Sequence, residues 1–156
     1  LVENAGGDDQ DMSIGLNAAA TDGLDPALFE AELPPTGVGF DARFLVPGLN
    51  GLADDLRNNA LTGSQVWSLK IQPGPNGLPI SISWDPADLP AAGVIRLQDN
   101  AGGFAVDVNM RALPVLTEGA VRPPARVFFV HSQGTGSLGV PGSKSMIPTL
   151  DALGPA

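Results

Sequence analysis

The stretch at residues 80–97, ISISWDPADLPAAGVIRL, decides the fold class. Its first part alternates apolar and small polar residues with a period of two, the pattern of a strand with one buried and one exposed face. Asp85-Pro86 ends this strand, because proline has no N–H for a ladder and restricts the residue before it. A second strand begins at Val94, after the corner DPADLPAAG. The stretch therefore predicts two strands joined by a rigid corner, and it contains no group suited to catalysis.

The same alternation predicts further strands on both sides of this stretch. They cover residues 12–16, 39–46, 65–72, 104–111 and 112–118. Residues 125–132 (ARVFFVHS) are apolar on both faces, which predicts a strand that is central in its sheet or covered by another layer. Six or seven such strands at short spacing predict an all-β fold. The specific expectation is an antiparallel β-sandwich of the Ig-like or Greek-key type, with about seven strands and extended terminal arms.

The composition supports this class and excludes several others. The 156 residues suit one domain with a real core, and 20 glycines and 15 prolines argue against long helices. Without cysteine there is neither a disulfide framework nor a Cys-based zinc site. No run of 18 apolar residues exists, so no membrane span is predicted. The chain begins at Leu1 without a leader, which we interpret as a processed secreted protein or an excised fragment.

The net charge of −9 is concentrated at one end of the chain. Residues 1–33 contain eight acidic residues and no Lys or Arg, whereas the remaining residues are almost balanced. An acidic surface repels nucleic acid and anionic membrane, so neither is expected as a partner. Residues 1–11 (LVENAGGDDQD) are polar and acidic, and they are predicted to form a loose N-terminal arm.

The predicted domain organisation has three parts: the arm at 1–11, a β-sandwich domain at 12–132 and a tail at 133–156. The tail is rich in Gly, Ser and Pro, so it is too broken for an ordinary central strand, yet too apolar for a free linker. We interpret it as a possible strand donor to a neighbouring molecule. Its candidate partner-interface residues are Leu138, Val140, Met146, Ile147, Leu150 and Leu153.

Catalytic motifs are poorly supported, and the chain is predicted not to be an enzyme. His131 is the only histidine, and a Ser–His–Asp arrangement would need it together with Ser132, Ser137 or Ser143. No G-x-S-x-G elbow is present, and one histidine without cysteine cannot build a usual zinc ligand set. The segment GTGSLGVPGSKS at 134–145 fails the phosphate-loop pattern, because Ser143 separates Gly142 from Lys144.

The acidic and aromatic residues do not match known ligand-binding patterns. No cofactor is expected, although the N-terminal acids could hold calcium; DDQD and TDGLD lack the EF-hand spacing. Trp67 and Trp84 are in phase with aliphatic residues, which predicts core packing in preference to a sugar-stacking platform. Asp41 and Asp107 are expected on exposed faces, paired across strands with basic residues such as Arg43 and Arg111.

Five segments, taken in order, resemble a β-sandwich module of secreted and surface proteins from Bacteroidota-like and related bacteria. They are GLNAAATDGLD (15–25), ELPP (32–35), FDARF (40–44), ISWDPADLP (82–90) and VDVNMR (106–111). The resemblance covers about residues 12–132. It implies a structural or surface-display unit, often found near the C-terminus of a large exported protein, and not a catalyst. The last 24 residues differ from the usual C-terminal sorting segment, which opens the interpretation of a whole subunit.

Two functions follow from these patterns. The first is an extracellular or cell-surface bacterial structural protein, a filament or surface-layer subunit joined by exchange of a terminal segment between neighbouring sandwiches. An open sheet edge templates another strand, and a head-to-tail contact propagates into a homopolymer. The second is an adhesive or glycan-binding module of a larger secreted protein. Fibres in images of the purified protein would support the first function, whereas a monomer that binds polysaccharide would support the second.

Overall fold

The structure is a computed structural model that describes residues 1–58, 63–89, 94–100, 103, 105–118 and 126–134. Eleven strands and two short 3-10 turns lie within these residues. The first six strands are β1 (Val2–Asn4), β2 (Asp9–Gln10), β3 (Ser13–Leu16), β4 (Asp41–Phe44), β5 (Asp54–Arg57) and β6 (Gly63–Gln72). The others are β7 (Ile80–Ser83), β8 (Val94–Asp99), β9 (Asp107–Asn109), β10 (Val115–Glu118) and β11 (Arg126–Gly134). The 3-10 turns are Pro26–Leu28 and Pro86–Asp88.

The strands form three sheets, two of which are entirely antiparallel. The larger sheet has the order β4-β6-β11-β8-β9, and the smaller sheet has the order β10-β7-β1-β2. A third, two-stranded sheet pairs β3 with β5 in parallel. The predicted all-β class is therefore confirmed, and one parallel pair accompanies the predicted antiparallel strands.

One apolar core draws on both of the antiparallel sheets. Val2, Ile80 and Ile82 come from the smaller sheet, whereas Trp67 and Leu97 come from the larger one. Along β6 the buried residues Trp67, Leu69 and Ile71 alternate with half-buried ones, as a strand with one face on the core requires. The same alternation holds along β8, where Ile95 and Leu97 are buried and Arg96 and Gln98 are half-buried. The predicted core phase of both strands is confirmed.

Trp84 was predicted as a core residue, and it lies at the edge of the core. Its indole ring is half-buried and packs against the core cluster. Its Nε1 donates a 2.6 Å hydrogen bond to the carbonyl oxygen of Met110. Asp85 accepts from the backbone N–H of Ala87 at 2.8 Å, which caps the Pro86–Asp88 turn. A capped turn therefore follows β7, and residues 90–93 of the predicted corner lie outside the described residues.

The expectation of a loose acidic arm at residues 1–11 is wrong. β1 lies between β7 and β2 in the smaller sheet, and Val2 is 1% exposed. The buried side-chain amide of Asn4 fixes the following turn, because its Oδ1 accepts from the N–H of Gly6 and of Asp8. Burial of Val2 and the ladder to β7 together outweigh the polar composition of the segment.

Residues 54–57 form a strand in a segment where the sequence analysis predicts none. The polar run ADDLRNN carries no apolar alternation, so the signal for a strand is absent from the segment itself. β5 is instead specified by its partners. It pairs with β3, and the indole Nε1 of Trp67 donates a 3.0 Å hydrogen bond to the carbonyl oxygen of Asp55. The predicted count of about seven strands is too low because short strands of this kind lack a sequence signature.

Candidate functional site

The most distinctive feature of the larger sheet is the position of its last strand. β11 pairs with β6 over nine residue positions and with β8 over six. Within the described part of the chain, β6 and β8 are joined to each other only through β11. Residues 125–132 were predicted to form a strand that is either central or covered, and the topology places β11 at a central position. We call the space between β6 and β8 that β11 occupies the strand slot.

The two walls of the strand slot carry buried residues at matching positions. The ladder pairs Val130 of β11 with Trp67 on one side and with Leu97 on the other. It pairs Ser132 with Gln65 and with the buried Ile95. A strand in this slot thus closes two hydrogen-bond ladders, one with β6 and one with β8.

The β8 wall is held by contacts that do not involve β11. The buried carboxylate of Asp99, at the end of β8, accepts hydrogen bonds from the backbone N–H groups of Gly103, Ala105 and Val106 at 2.6–3.0 Å. Arg96 and Asp107 form a 2.6 Å ion pair across β8 and β9. The hydrogen bond that Arg96 donates to Asp107 is the main cause that raises the pKa of Arg96. Asp107 was expected beside Arg111, so that pairing prediction is corrected.

Arg43 is buried, although it was predicted to face solvent. Only 2% of the residue is exposed, because the chain around Pro34 and Asn50 covers β4. Its guanidinium binds both carboxylate oxygens of Asp41 and donates to the carbonyl oxygens of Pro34 at 2.8 Å and of Asn50 at 2.9 Å. The hydrogen bonds that Arg43 donates to Asp41 are the main cause that raises the pKa of Arg43.

A second buried charge network joins the parallel pair to the turn before it. Asp55 is fully buried and accepts two hydrogen bonds from Arg57, at 2.7 and 2.8 Å. The carboxylate of Glu30 accepts from the backbone N–H of Leu56 at 2.6 Å and of Asp25 at 2.7 Å. Burial raises the pKa of Glu30, and these two backbone hydrogen bonds oppose that effect. Both networks tie loops to strands.

These two networks share a sequence signal that was overlooked. Asp41-Ala42-Arg43 and Asp55-Leu56-Arg57 both place an acid two residues before an arginine. Residues two apart on a strand lie on the same face, so the D-x-R pattern predicts an ion pair within one strand. Read in this way, the pattern indicates covered strands with a paired arginine.

A polar recess lies beside the turn after β1. It is lined by Gly7, Asp8, Asp9, Gly39, Phe40, Pro75 and Asn76. Asp8 accepts hydrogen bonds from the side-chain amides of Asn4 at 2.8 Å and Asn76 at 3.2 Å. The half-buried ring of Phe40 supplies an apolar surface next to these carboxylate and amide groups. An aromatic face beside hydrogen-bonding side chains is a combination suited to a small polar ligand.

The acids considered for calcium have other partners here. Besides Asp8 and Glu30, Asp25 accepts from the N–H and the hydroxyl of Thr21 at 2.6 and 3.0 Å. Among the residues that the structure describes, no group of three or more His, Asp or Glu side chains is arranged to hold a metal ion. Calcium binding therefore stays a prediction without a located ligand set.

The predicted partner-interface residues lie outside the described residues. These are Leu138, Val140, Met146, Ile147, Leu150 and Leu153. The boundary predicted for their segment, at residue 133, falls inside β11, which continues to Gly134. His131 and Ser132 are also on β11, where His131 is paired with Val66 and Arg96, whereas Ser137 and Ser143 are outside the described part.

Comparison with known proteins gives no match to a family model, a curated protein or a solved structure. Across the described ranges, no helix is long and apolar enough to cross a membrane. Function must therefore be argued from the molecule itself.

Proposed function

We propose that the chain is an extracellular bacterial structural protein, a filament or surface-layer subunit joined by exchange of a terminal segment between neighbouring copies. In this proposal the two antiparallel sheets pack face to face as a β-sandwich. The mixed core supports that packing, because Val2 and Ile82 of one sheet belong to the same cluster as Trp67 and Leu97 of the other. The resemblance of the sequence to surface modules points in the same direction.

The observation that carries the proposal is the position of β11 in the larger sheet. The last strand of the described chain lies at the centre of the sheet. It pairs with β6 at nine positions and with β8 at six. A strand that comes late in the chain can leave its own sheet without moving the strands that precede it, and an identical strand can replace it. Exchange of that kind is a low-cost route to assembly, and a head-to-tail contact that does not close yields a fibre.

Assembly of the purified chain tests this function. We expect fibres or sheets by negative-stain electron microscopy, and a size-exclusion profile that shifts to larger species as protein concentration rises. The acidic net charge makes the comparison of low and high salt informative, because screening of like charges favours contact between copies. A monomer at every concentration and salt, with no fibres, would contradict the proposal.

The polar recess favours a second function, that of a glycan-binding module. Phe40 could stack on a sugar ring while Asp8 and Asn76 bind its hydroxyls, and both groups lie at the surface. An array of defined oligosaccharides, probed with the wild-type chain and with Asn76→Ala, tests this. Binding by a monomer that the substitution abolishes would favour the second function. Asn58→Ala is the matched control outside the recess, because the Asn58 amide donates to the carbonyl oxygens of Ala18 and Ala20.

A further inference from the structure

We propose that the exchanged segment is β11 itself, Arg126–Gly134, which enters the strand slot between β6 and β8 of a neighbouring copy. This inference rests on the proposed function and names the segment and the site that assembly uses. It differs from donation by the tail alone, because the donated ladder is one that the structure describes residue by residue.

The ladder supplies the affinity. Every backbone pairing that β11 makes in its own chain, from Arg126↔Ile71 to Gly134↔Gly63, is available unchanged when the strand comes from another copy. The closed and exchanged forms therefore differ mainly in the connection to β11 and in the effective concentration of the strand. Exchange is then controlled by protein concentration and requires no new surface.

The acceptor is built from contacts that do not depend on β11. On the β6 side, Trp67 is fixed to Asp55 by its indole hydrogen bond, and β4 pairs with β6 over four positions. On the β8 side, Asp99 holds the following loop through three backbone N–H groups. Both walls thus keep their own partners when the slot is vacated, and each then presents an unpaired edge that favours capture of a strand.

The connection to β11 also suits exchange. β10 belongs to the smaller sheet and β11 to the larger one, so the chain between them passes from one sheet to the other. That connection, residues 119–125, has the sequence GAVRPPA. Adjacent prolines restrict φ and bias the preceding residue towards extended conformations, which disfavours a tight return. β11 is the last strand of the described part of the chain.

Engineered disulfides test the inference directly, because the chain has no cysteine. Gln65 and Ser132 are paired in the ladder, and directly opposed strand residues have the Cβ separation that a disulfide needs. Two single variants, Gln65→Cys and Ser132→Cys, are mixed under assembly conditions and oxidised. We expect a disulfide-linked heterodimer on non-reducing gels, since the two cysteines meet only when β11 of one copy occupies the slot of another.

A matched control and a second pair keep the outcome clear. Ser81→Cys lies on β7 in the smaller sheet, paired with Glu3 and Thr117, and should give no heterodimer with Ser132→Cys. Val94→Cys with Gln133→Cys samples the β8 wall, and Val94 is exposed, so this pair serves if Gln65→Cys impairs folding. The double variant Gln65→Cys/Ser132→Cys should form covalent multimers in assemblies and an internal disulfide in monomers.

The outcomes separate this inference from the function on which it rests. Fibres without heterodimer from either pair would overturn exchange of β11 while leaving an assembling subunit in place. Absence of any assembly, with only internal disulfides in the double variants, would overturn both. Heterodimers from both pairs and none with Ser81→Cys would establish β11 as the exchanged segment.

Discussion

The guanidinium of Arg43 and the carboxylate of Asp41 form a two-point ion pair within a single strand, under the cover of the Pro34 and Asn50 backbone. The pair lies on β4, an outer strand of the larger sheet. Four hydrogen bonds satisfy one buried cation, so removing its only anionic partner in this group leaves a charge that burial makes costly.

Asp41→Asn should therefore lower the free energy of unfolding by about 3 kcal/mol, as expected for a buried charge that loses its counter-ion. Urea denaturation followed by tryptophan fluorescence measures the change. Asp107→Asn is the matched control, because the Arg96–Asp107 pair is considerably more exposed and should contribute little. Equal effects of the two substitutions would show that burial of Arg43 does not govern the stability of this pair.

Gly51 is required by the same cover over β4. Its φ is 131°, and a Cβ built there would lie 2.8 Å from both Arg43 Cδ and the carbonyl oxygen of Phe44. Gly51→Ala should lower the free energy of unfolding by about 2 kcal/mol or more through backbone strain and steric conflict. Gly37→Ala, where a Cβ meets nothing within 4 Å, should leave stability near wild type. Urea unfolding of the two variants side by side checks the difference.

Phe29 is held in the left-handed region with φ 66°, at the end of the Pro26–Leu28 turn, and 64% of it is exposed. Replacing Phe29 with glycine should raise the free energy of unfolding by up to about 1 kcal/mol, because glycine adopts this conformation without steric cost. Val38→Gly, at an apolar residue that is 96% exposed, should lower stability slightly through chain entropy. Thermal unfolding distinguishes the two signs, and a loss of stability at Phe29 would indicate that its ring makes a favourable contact.

The raised pKa of Glu30 predicts a specific pH dependence. Burial disfavours its charged form, so between the unfolded and folded pKa the native state holds more protons than the unfolded state. The contribution of Glu30 to folding is then present at acidic pH and declines as pH rises from the ordinary carboxyl pKa through the raised folded value.

Comparison with Glu30→Gln isolates the contribution of Glu30, since the contributions of the other carboxylates cancel when the two unfolding free energies are subtracted. The stability of the wild type relative to the variant should fall as pH increases through that window. Urea titrations from below pH 4 to neutrality, in steps of about half a pH unit, cover the ordinary range of carboxyl pKa values and the region above it. A difference that is constant or grows with pH would contradict a raised pKa.

Much of the fold could be read from strands that carry their own signal. β6, β7 and β8 alternate apolar and polar residues over a core face, so Trp67, Ile82 and Leu97 were placed correctly from spacing alone. Apolar residues at successive positions of β11 predicted a strand that is central or covered, and the structure places it at a central position. These strands are specified by side chains that burial selects, and burial is the strongest term in folding.

The remaining elements are specified by their partners. β1 and β5 are short and polar, and their strand character comes from pairing with β7 and β3 and from hydrogen bonds of Asn4 and Trp67. No periodicity within four residues can predict a partner distant in sequence. The apolar composition of β11 is visible in the sequence. The strand slot could not be predicted in the same way, because it is defined by the strands that β11 separates.

The central place of β11 also sets the order in which the nascent chain can fold. β6 and β8 are synthesised before β11, the strand that joins them. Two parts of the larger sheet therefore have unpaired edges while the intervening chain is being synthesised. Pairings between residues far apart in sequence form late and slowly. Until β11 pairs with both strands, β6 and β8 each lack one neighbour, so the larger sheet is completed only after residues 126–134 have been added.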